Sequence, residues 1–89
     1  MRRRAASREE LEVRSRFFTA LASLTSGEGK VMRGKATFCR LYGINRRNLW
    51  TMEKKPEAGI LDPAWLVYLV RDFGVSAAWL LTGKGVWRK

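Results

Sequence analysis

Residues that begin and end helices divide the 89-residue chain into five short segments. Ser7 stands three residues before Glu10, which is the spacing of a capping box and predicts that the first helix begins there. Leu and Phe side chains then recur at helical spacing as far as Leu24, and glycines follow at 27 and 29. Alternating polar and apolar residues are absent, apart from a weak extended signal in 30–32. The sequence therefore predicts an all-α fold.

The second and third helices are predicted on either side of a short turn. The second begins near Gly34 or Lys35, runs to Tyr42, and is ended by a glycine at 43. Asn45 is a good N-cap for a third helix over residues 46–54. The residues of these two helices that are expected to face the core are Phe38, Cys39, Leu49 and Met52.

The fourth and fifth helices carry the same signals. Asp62 precedes Pro63, which favours the first position of a helix, and Gly74 ends the segment. Ser76 then caps a short fifth helix that ends at Gly83. The aromatic and aliphatic residues expected in the core from these helices are Trp65, Leu66, Leu69, Val70, Phe73 and Trp79.

The composition excludes several classes of chemistry. The chain has no histidine and one cysteine, Cys39, so histidine catalysis, an internal disulfide and a multi-thiolate zinc site are all excluded. The longest apolar stretches, 64–70 and 75–81, are much shorter than the about 20 residues that span a bilayer. We therefore expect a cytoplasmic protein that is not an enzyme and uses no metal, no cofactor and no membrane.

Positive charge is concentrated in particular parts of the chain. The formal net charge is +10, and residues 30–55 carry eight basic side chains against one acidic one. Residues 1–8 add four arginines and no acid, whereas residues 9–29 and 56–83 are each slightly acidic. Segregation of this kind is typical of a surface that binds nucleic-acid phosphates.

The most informative local pattern is a helix, the turn Gly43-Ile44-Asn45, and a second helix. A short glycine-containing turn between two helices is characteristic of the helix-turn-helix. The second helix of such a motif presents its first side chains to the DNA major groove, and here these begin with Arg46 and Arg47. Arginine is the residue that best reads guanine, because its guanidinium group spans O6 and N7.

Residues 38–53 resemble the helix-turn-helix core of the phage repressor/Cro-like (Xre-type) DNA-binding domains. The run GVSAAWLLTGKG at 74–85 resembles the way in which many of these domains end. The resemblance covers roughly residues 11–85. It implies a compact five-helix bundle of the lambda-repressor-like DNA-binding type that contains a helix-turn-helix.

The family pattern also assigns roles to individual positions. It implies that Cys39 is a small buried residue, that residues 43–45 form the turn, and that Glu53 is an acid at the end of the recognition helix. The side chains that it implies as DNA base contacts are Arg46, Arg47, Trp50 and Thr51. Lys35 stands where the family commonly has glutamine, which favours a phosphate contact.

The remaining polar and basic residues divide into phosphate contacts and a flexible arm. We expect a basic arm at 1–8, a DNA-binding domain at 9–85 and a basic tail at 86–89. The arm either reaches the minor groove through Arg2, Arg3 and Arg4 or attracts DNA non-specifically. The candidate phosphate contacts are Lys30, Arg33, Lys35, Asn48, Lys54 and Lys55.

Two tryptophans leave alternatives open. Helical spacing predicts an exposed indole at Trp50, which either packs on a sugar or thymine methyl or tucks beside a neighbouring helix. Trp87 lies beyond the last predicted helix with no core to join. It therefore belongs either to a dimer interface or to a segment that folds back on the first helix.

Taken together, these features predict sequence-specific binding of double-stranded DNA by a small repressor-type transcriptional regulator, of the kind found in bacteria, phages and mobile elements. One alternative is a protein-interaction module or antitoxin-like partner for which nucleic-acid binding is secondary. RNA binding is a third and weaker alternative. The sequence leaves open whether the chain forms a homodimer.

Overall fold

The structure is a computed structural model that describes residues 7–27, 30–55, 57 and 61–88. Within these residues it contains five α-helices and no β-strand, so the all-α prediction is confirmed. Residues 30–32, which carry the weak extended signal, do not form a strand. The helices are α1 (Arg8–Thr25), α2 (Lys35–Tyr42), α3 (Arg46–Lys54), α4 (Pro63–Phe73) and α5 (Ala77–Thr82).

The capping residues act as the sequence predicts. The Ser7 hydroxyl accepts a hydrogen bond from the Glu10 backbone N–H at 3.1 Å, and Asn45 caps α3 in the same way. The helices α4 and α5 are capped by Asp62 and Ser76. Each of these bonds satisfies a backbone donor that the first turn of a helix leaves without a partner.

The core is built around an aromatic residue of α1. Phe17 is fully buried, and its ring centroid lies 6.1 Å from that of Phe38 in α2 and 5.9 Å from that of Trp65 in α4. The Phe17 and Phe38 rings meet edge to face, an arrangement that adds to the energy of burial. The other buried apolar residues are Ala20, Leu21, Leu24, Met32, Cys39, Leu49, Met52, Leu69, Val75 and Leu80.

Two arginines of α1 have structural roles that the apolar pattern does not indicate. The Arg14 side chain is only 6% exposed and lies 3.9 Å from the Glu10 carboxylate. Arg16 donates hydrogen bonds to the backbone carbonyl oxygens of Leu80 at 2.9 Å and Leu81 at 3.0 Å. These carbonyls lie in the last turn of α5, where a positive charge is favourable. Arg16 therefore joins α1 to the end of α5.

The end of the chain folds back, so the prediction that Trp87 has no core to join is wrong. Arg88 forms an isolated antiparallel bridge with Val75, and the Ser76 backbone N–H donates to the Trp87 carbonyl at 2.8 Å. The Trp87 ring is half-buried, and its centroid lies 6.3 Å from that of Trp79 in α5. Glycines at 83 and 85 with positive φ reverse the chain after α5 and direct it to the α4–α5 junction.

A tyrosine pair joins α2 to α4. The rings of Tyr42 and Tyr68 are stacked with centroids 4.0 Å apart, and the Tyr42 hydroxyl donates to the Asp72 carboxylate at 2.6 Å. Burial and the bond to Asp72 raise the pKa of Tyr42 to about 12. Hydrogen bonds from Arg71 and Tyr42 lower the pKa of Asp72 to about 2.

The pKa shifts of this pair predict how Tyr42→Phe changes the dependence of stability on pH. Because the folded-state pKa of Tyr42 is raised, its contribution is complete below the unfolded value near 10 and is lost as pH rises towards 12. Because the pKa of Asp72 is lowered, its contribution is present above about pH 4 and is lost as pH falls towards 2. Urea unfolding should therefore show the largest destabilisation by Tyr42→Phe between pH 5 and 9.

The same titration on Tyr68→Phe is the matched control, because the hydrogen bond to Asp72 comes from the hydroxyl of Tyr42. That variant should keep the wild-type pH profile. A Tyr42→Phe destabilisation that is equally large at pH 3, 7 and 11 would contradict the role of the hydrogen bond.

Candidate nucleic-acid interface

One face of α3 is buried and the other is basic. Leu49 and Met52 are fully buried, as the sequence predicts. Arg46, Arg47 and Thr51 are exposed on the same helix. The buried face fixes α3 to the core, so its basic face is presented to solvent in one orientation.

The turn before α3 determines where the basic face begins. Gly43 has φ 65°, in the left-handed region that glycine adopts without steric cost, and ends α2. The Ile44 backbone N–H donates to the Cys39 carbonyl at 2.9 Å, and the half-buried Ile44 side chain packs against the core. The Asn45 side chain then accepts from the Asn48 backbone N–H at 3.0 Å. This local structure starts α3 at Arg46, as the sequence predicts.

Three of the predicted base contacts lie together. Arg46, Arg47 and Trp50 line a shallow, widely open concave surface of about 410 Å³. The Arg46 guanidinium carbon lies over the Trp50 ring, 5.6 Å from its centroid, which is a cation–π contact. The fourth predicted base contact, Thr51, is exposed on α3 and does not line this surface.

The indole of Trp50 is half-buried, so the prediction that it is exposed is wrong. Spacing along α3 alone places Trp50 away from Leu49 and Met52. The ring nevertheless reaches the hydrophobic core cluster at the edge of the helix. Its large size allows one part to pack on the core while another part lines the concave surface.

Lys35 has a carboxylate partner that the sequence analysis does not identify. Its ammonium group, at the first residue of α2, pairs with the carboxylate of Glu53 in the last turn of α3. Both side chains are about a quarter to a third exposed, at 26% and 31%. This pair joins the two helices on either side of the turn and places the start of α2 beside the end of α3. A phosphate at Lys35 would compete with Glu53.

Four of the other candidate phosphate contacts have no such partner among the described residues. Lys30 and Arg33 are exposed in the segment between α1 and α2, which is anchored by the buried Met32. Lys54 and Lys55 are exposed at the end of α3. None of these four forms an ion pair with a described carboxylate.

The remaining predicted contacts are Asn48 and the N-terminal arginines. Asn48 is half-buried, and its backbone N–H is capped by Asn45. Arg2, Arg3 and Arg4 lie outside the described residues.

Cys39 lies behind this surface as a core residue. It is 2% exposed, in agreement with the prediction of a small buried position. Burial raises the pKa of its thiol, and the positive charge of Arg46 offsets only part of this effect. Because the thiolate is the reactive form, a raised pKa makes this cysteine a poor nucleophile at neutral pH.

Further observations concern membranes, metals and related proteins. Among the described helices, none combines the length and apolar character that crossing a membrane requires. The described residues also contain no group of three or more His, Cys, Asp or Glu side chains that could hold a metal ion. No known protein family, curated protein or solved structure matches this chain.

The pair between α2 and α3 predicts a measurable coupling energy. In urea unfolding, Lys35→Ala and Glu53→Ala should together cost less than the sum of the single changes, because either one already removes the pair. For a partly exposed ion pair we expect a coupling of about 0.5–1 kcal/mol. The coupling should fall in 1 M NaCl, where the Debye length is about 3 Å.

The matched control is the same cycle with Lys54→Ala in place of Lys35→Ala. Lys54 is adjacent to Glu53 in sequence but exposed and not paired with it. Because neighbouring side chains at i and i+1 of a helix do not face each other, its cycle should be additive within about 0.3 kcal/mol. Additivity in the Lys35 cycle as well would show that the pair contributes nothing to stability.

Proposed function

We propose that this protein binds double-stranded DNA sequence-specifically and acts as a small repressor-type transcriptional regulator. In this proposal the five helices have the lambda-repressor-like arrangement, and α2 and α3 form its helix-turn-helix. The observation that carries the proposal is the exposed face of α3, on which Arg46 and Arg47 stand without a described carboxylate partner. The opposite face of the same helix is fully buried through Leu49 and Met52.

The proposed mechanism is occupation of an operator, without catalysis. The major groove is about 12 Å wide and admits an α-helix, whose diameter with side chains is about 10–12 Å. The first side chains of α3 then meet the edges of the bases, where arginine donors match the acceptors of guanine. Lys30, Arg33, Lys54 and Lys55 would bind phosphates and set the register of the helix in the groove.

The alternative is a protein-interaction module for which nucleic-acid binding is secondary. An apolar groove of about 330 Å³ between α4 and α5 favours this function, and Leu66, Val70 and Leu81 are among the residues that line it. Val67 and Leu81 in this groove are about half exposed. Exposed apolar surface of this kind is frequent where proteins bind one another.

A selection from a random duplex pool followed by gel-shift titration tests the proposed function. We expect one motif to be enriched, and a two-fold symmetric motif would indicate a homodimer. Single-stranded RNA, unrelated duplex and heparin should compete much more weakly than the enriched duplex. Equal competition by heparin and the enriched duplex would contradict specific DNA binding and favour the alternative.

Salt titration of the same complex measures the phosphate contacts. The logarithm of the binding constant should fall linearly with the logarithm of salt concentration, by about 0.9 for each phosphate neutralised. Lys54→Ala and Lys55→Ala should each reduce this slope by about 0.9 and weaken binding on every sequence. Lys84→Ala is the control, because it removes the same charge from outside the basic segment. An equal change of slope with Lys84→Ala would exclude specific phosphate contacts at Lys54 and Lys55.

Arg47 is expected to read a base. Arg47→Ala should cost about 1–3 kcal/mol of binding free energy on the enriched duplex and relax the preference at one base position. Repeating the selection with the variant measures that relaxation directly. If Arg47→Ala weakens binding equally on all duplexes, Arg47 contacts a phosphate and not a base.

A further inference from the structure

The cation–π pair on α3 has a geometry that suits two neighbouring bases at once. Resting on the DNA-binding function proposed above, we infer that Arg46 and Trp50 together recognise a guanine and an adjacent thymine. Arg46 donates to O6 and N7 of the guanine, and the indole of Trp50 contacts the thymine methyl group. Specificity at two positions of the binding site then comes from one pair of side chains.

Trp50 is held in place by its packing. It lies four residues after Arg46, which puts the two side chains on the same face of α3, one turn apart. The indole is half-buried and packs against the hydrophobic core cluster. A ring that is supported from behind offers a fixed apolar surface to a ligand in front of it.

Arg46 is restrained by the same ring. Its guanidinium carbon lies 5.6 Å from the centre of the Trp50 ring. A cation–π contact uses the positive charge of the guanidinium and leaves its N–H groups free to donate. Arg46 is exposed, and no ion pair joins it to a described carboxylate. The guanidinium is therefore restrained by the indole but keeps the forked donors that match O6 and N7 of guanine.

The apolar part of the surface suits one kind of neighbouring base. Arg46, Arg47 and Trp50 line the concave surface of about 410 Å³, and the indole is its apolar part. Thymine is the base that presents an apolar group, its C5 methyl, in the major groove. Cytosine presents an amino donor instead, which two neighbouring guanidinium groups cannot accept. The surface therefore favours thymine beside the guanine.

Base analogues in the enriched duplex test this inference. Replacing the thymine by uracil removes only the methyl group and should weaken wild-type binding about fourfold, the value expected for one buried methylene-sized group. Replacing the guanine by 7-deazaguanine removes N7 and should weaken binding about tenfold or more. Inosine is the control, because it keeps O6 and N7 and should bind as guanine does.

Protein variants assign each effect to a side chain. In Trp50→Ala the uracil and thymine duplexes should bind equally, whereas Lys84→Ala, an exposed position outside the basic segment, should keep the fourfold preference for thymine. In Arg46→Lys, which keeps the charge and loses the fork, the penalty for 7-deazaguanine should shrink. Circular dichroism verifies that the variants are folded. Because the analogues are also measured on the wild-type protein, the test does not depend on whether Trp50→Ala folds.

The outcomes separate this inference from the proposed function. If the pool yields no enriched duplex, both are wrong. If a motif is enriched but contains no guanine beside a thymine, only the inference is overturned. It is equally overturned if the wild-type protein binds the uracil and 7-deazaguanine duplexes as tightly as the natural duplex. That result would indicate that Arg46 contacts a phosphate.

Discussion

The basic helix α3 is anchored in the core cluster that contains Phe17. This fully buried ring contacts Phe38 of α2 and Trp65 of α4, and Leu49 and Met52 of α3 join the same cluster. Loss of a buried phenylalanine side chain costs about 3–5 kcal/mol, a large part of the about 5–15 kcal/mol that stabilises a small domain. The surface that we propose to bind DNA is thus held in position mainly by apolar packing behind it.

Several arginines outside residues 30–55 form bonds within the fold. Arg16 bonds to the last carbonyls of α5, and Arg88 donates to the Phe73 carbonyl at 3.0 Å. Arg71 pairs with Asp72. The N–H donors of these arginines are therefore partly used within the fold and are less available to a polyanion. In contrast, the basic residues of 30–55 are mostly exposed, with Lys35 as the paired exception.

The parts of the structure that could be predicted from the sequence are those set by neighbours along the chain. Asn45 and Gly43 act within one turn of their own position, so the bounds of α3 follow from local pattern. The pairs Arg16–Leu80 and Lys35–Glu53 join residues 64 and 18 positions apart, and no local pattern indicates them. The core contact of Trp87 is missed for the same reason, because its partner surface is formed by the α4–α5 junction. The DNA-contact roles of the site residues remain predictions.

The pair between Lys35 and Glu53 affects how many counterions the proposed interface releases when it binds a phosphate. Lys35 stands at the positive end of α2 and Glu53 near the negative end of α3, so each charge is at the unfavourable end of its helix and the pair compensates both. If a DNA phosphate paired with Lys35 in place of Glu53, the Glu53 carboxylate would be left unpaired near the DNA. Such an exchange replaces one neutralised charge by another and releases fewer counterions than a contact from a free lysine. A phosphate contact at Lys35 would then change the salt dependence of binding more than the affinity.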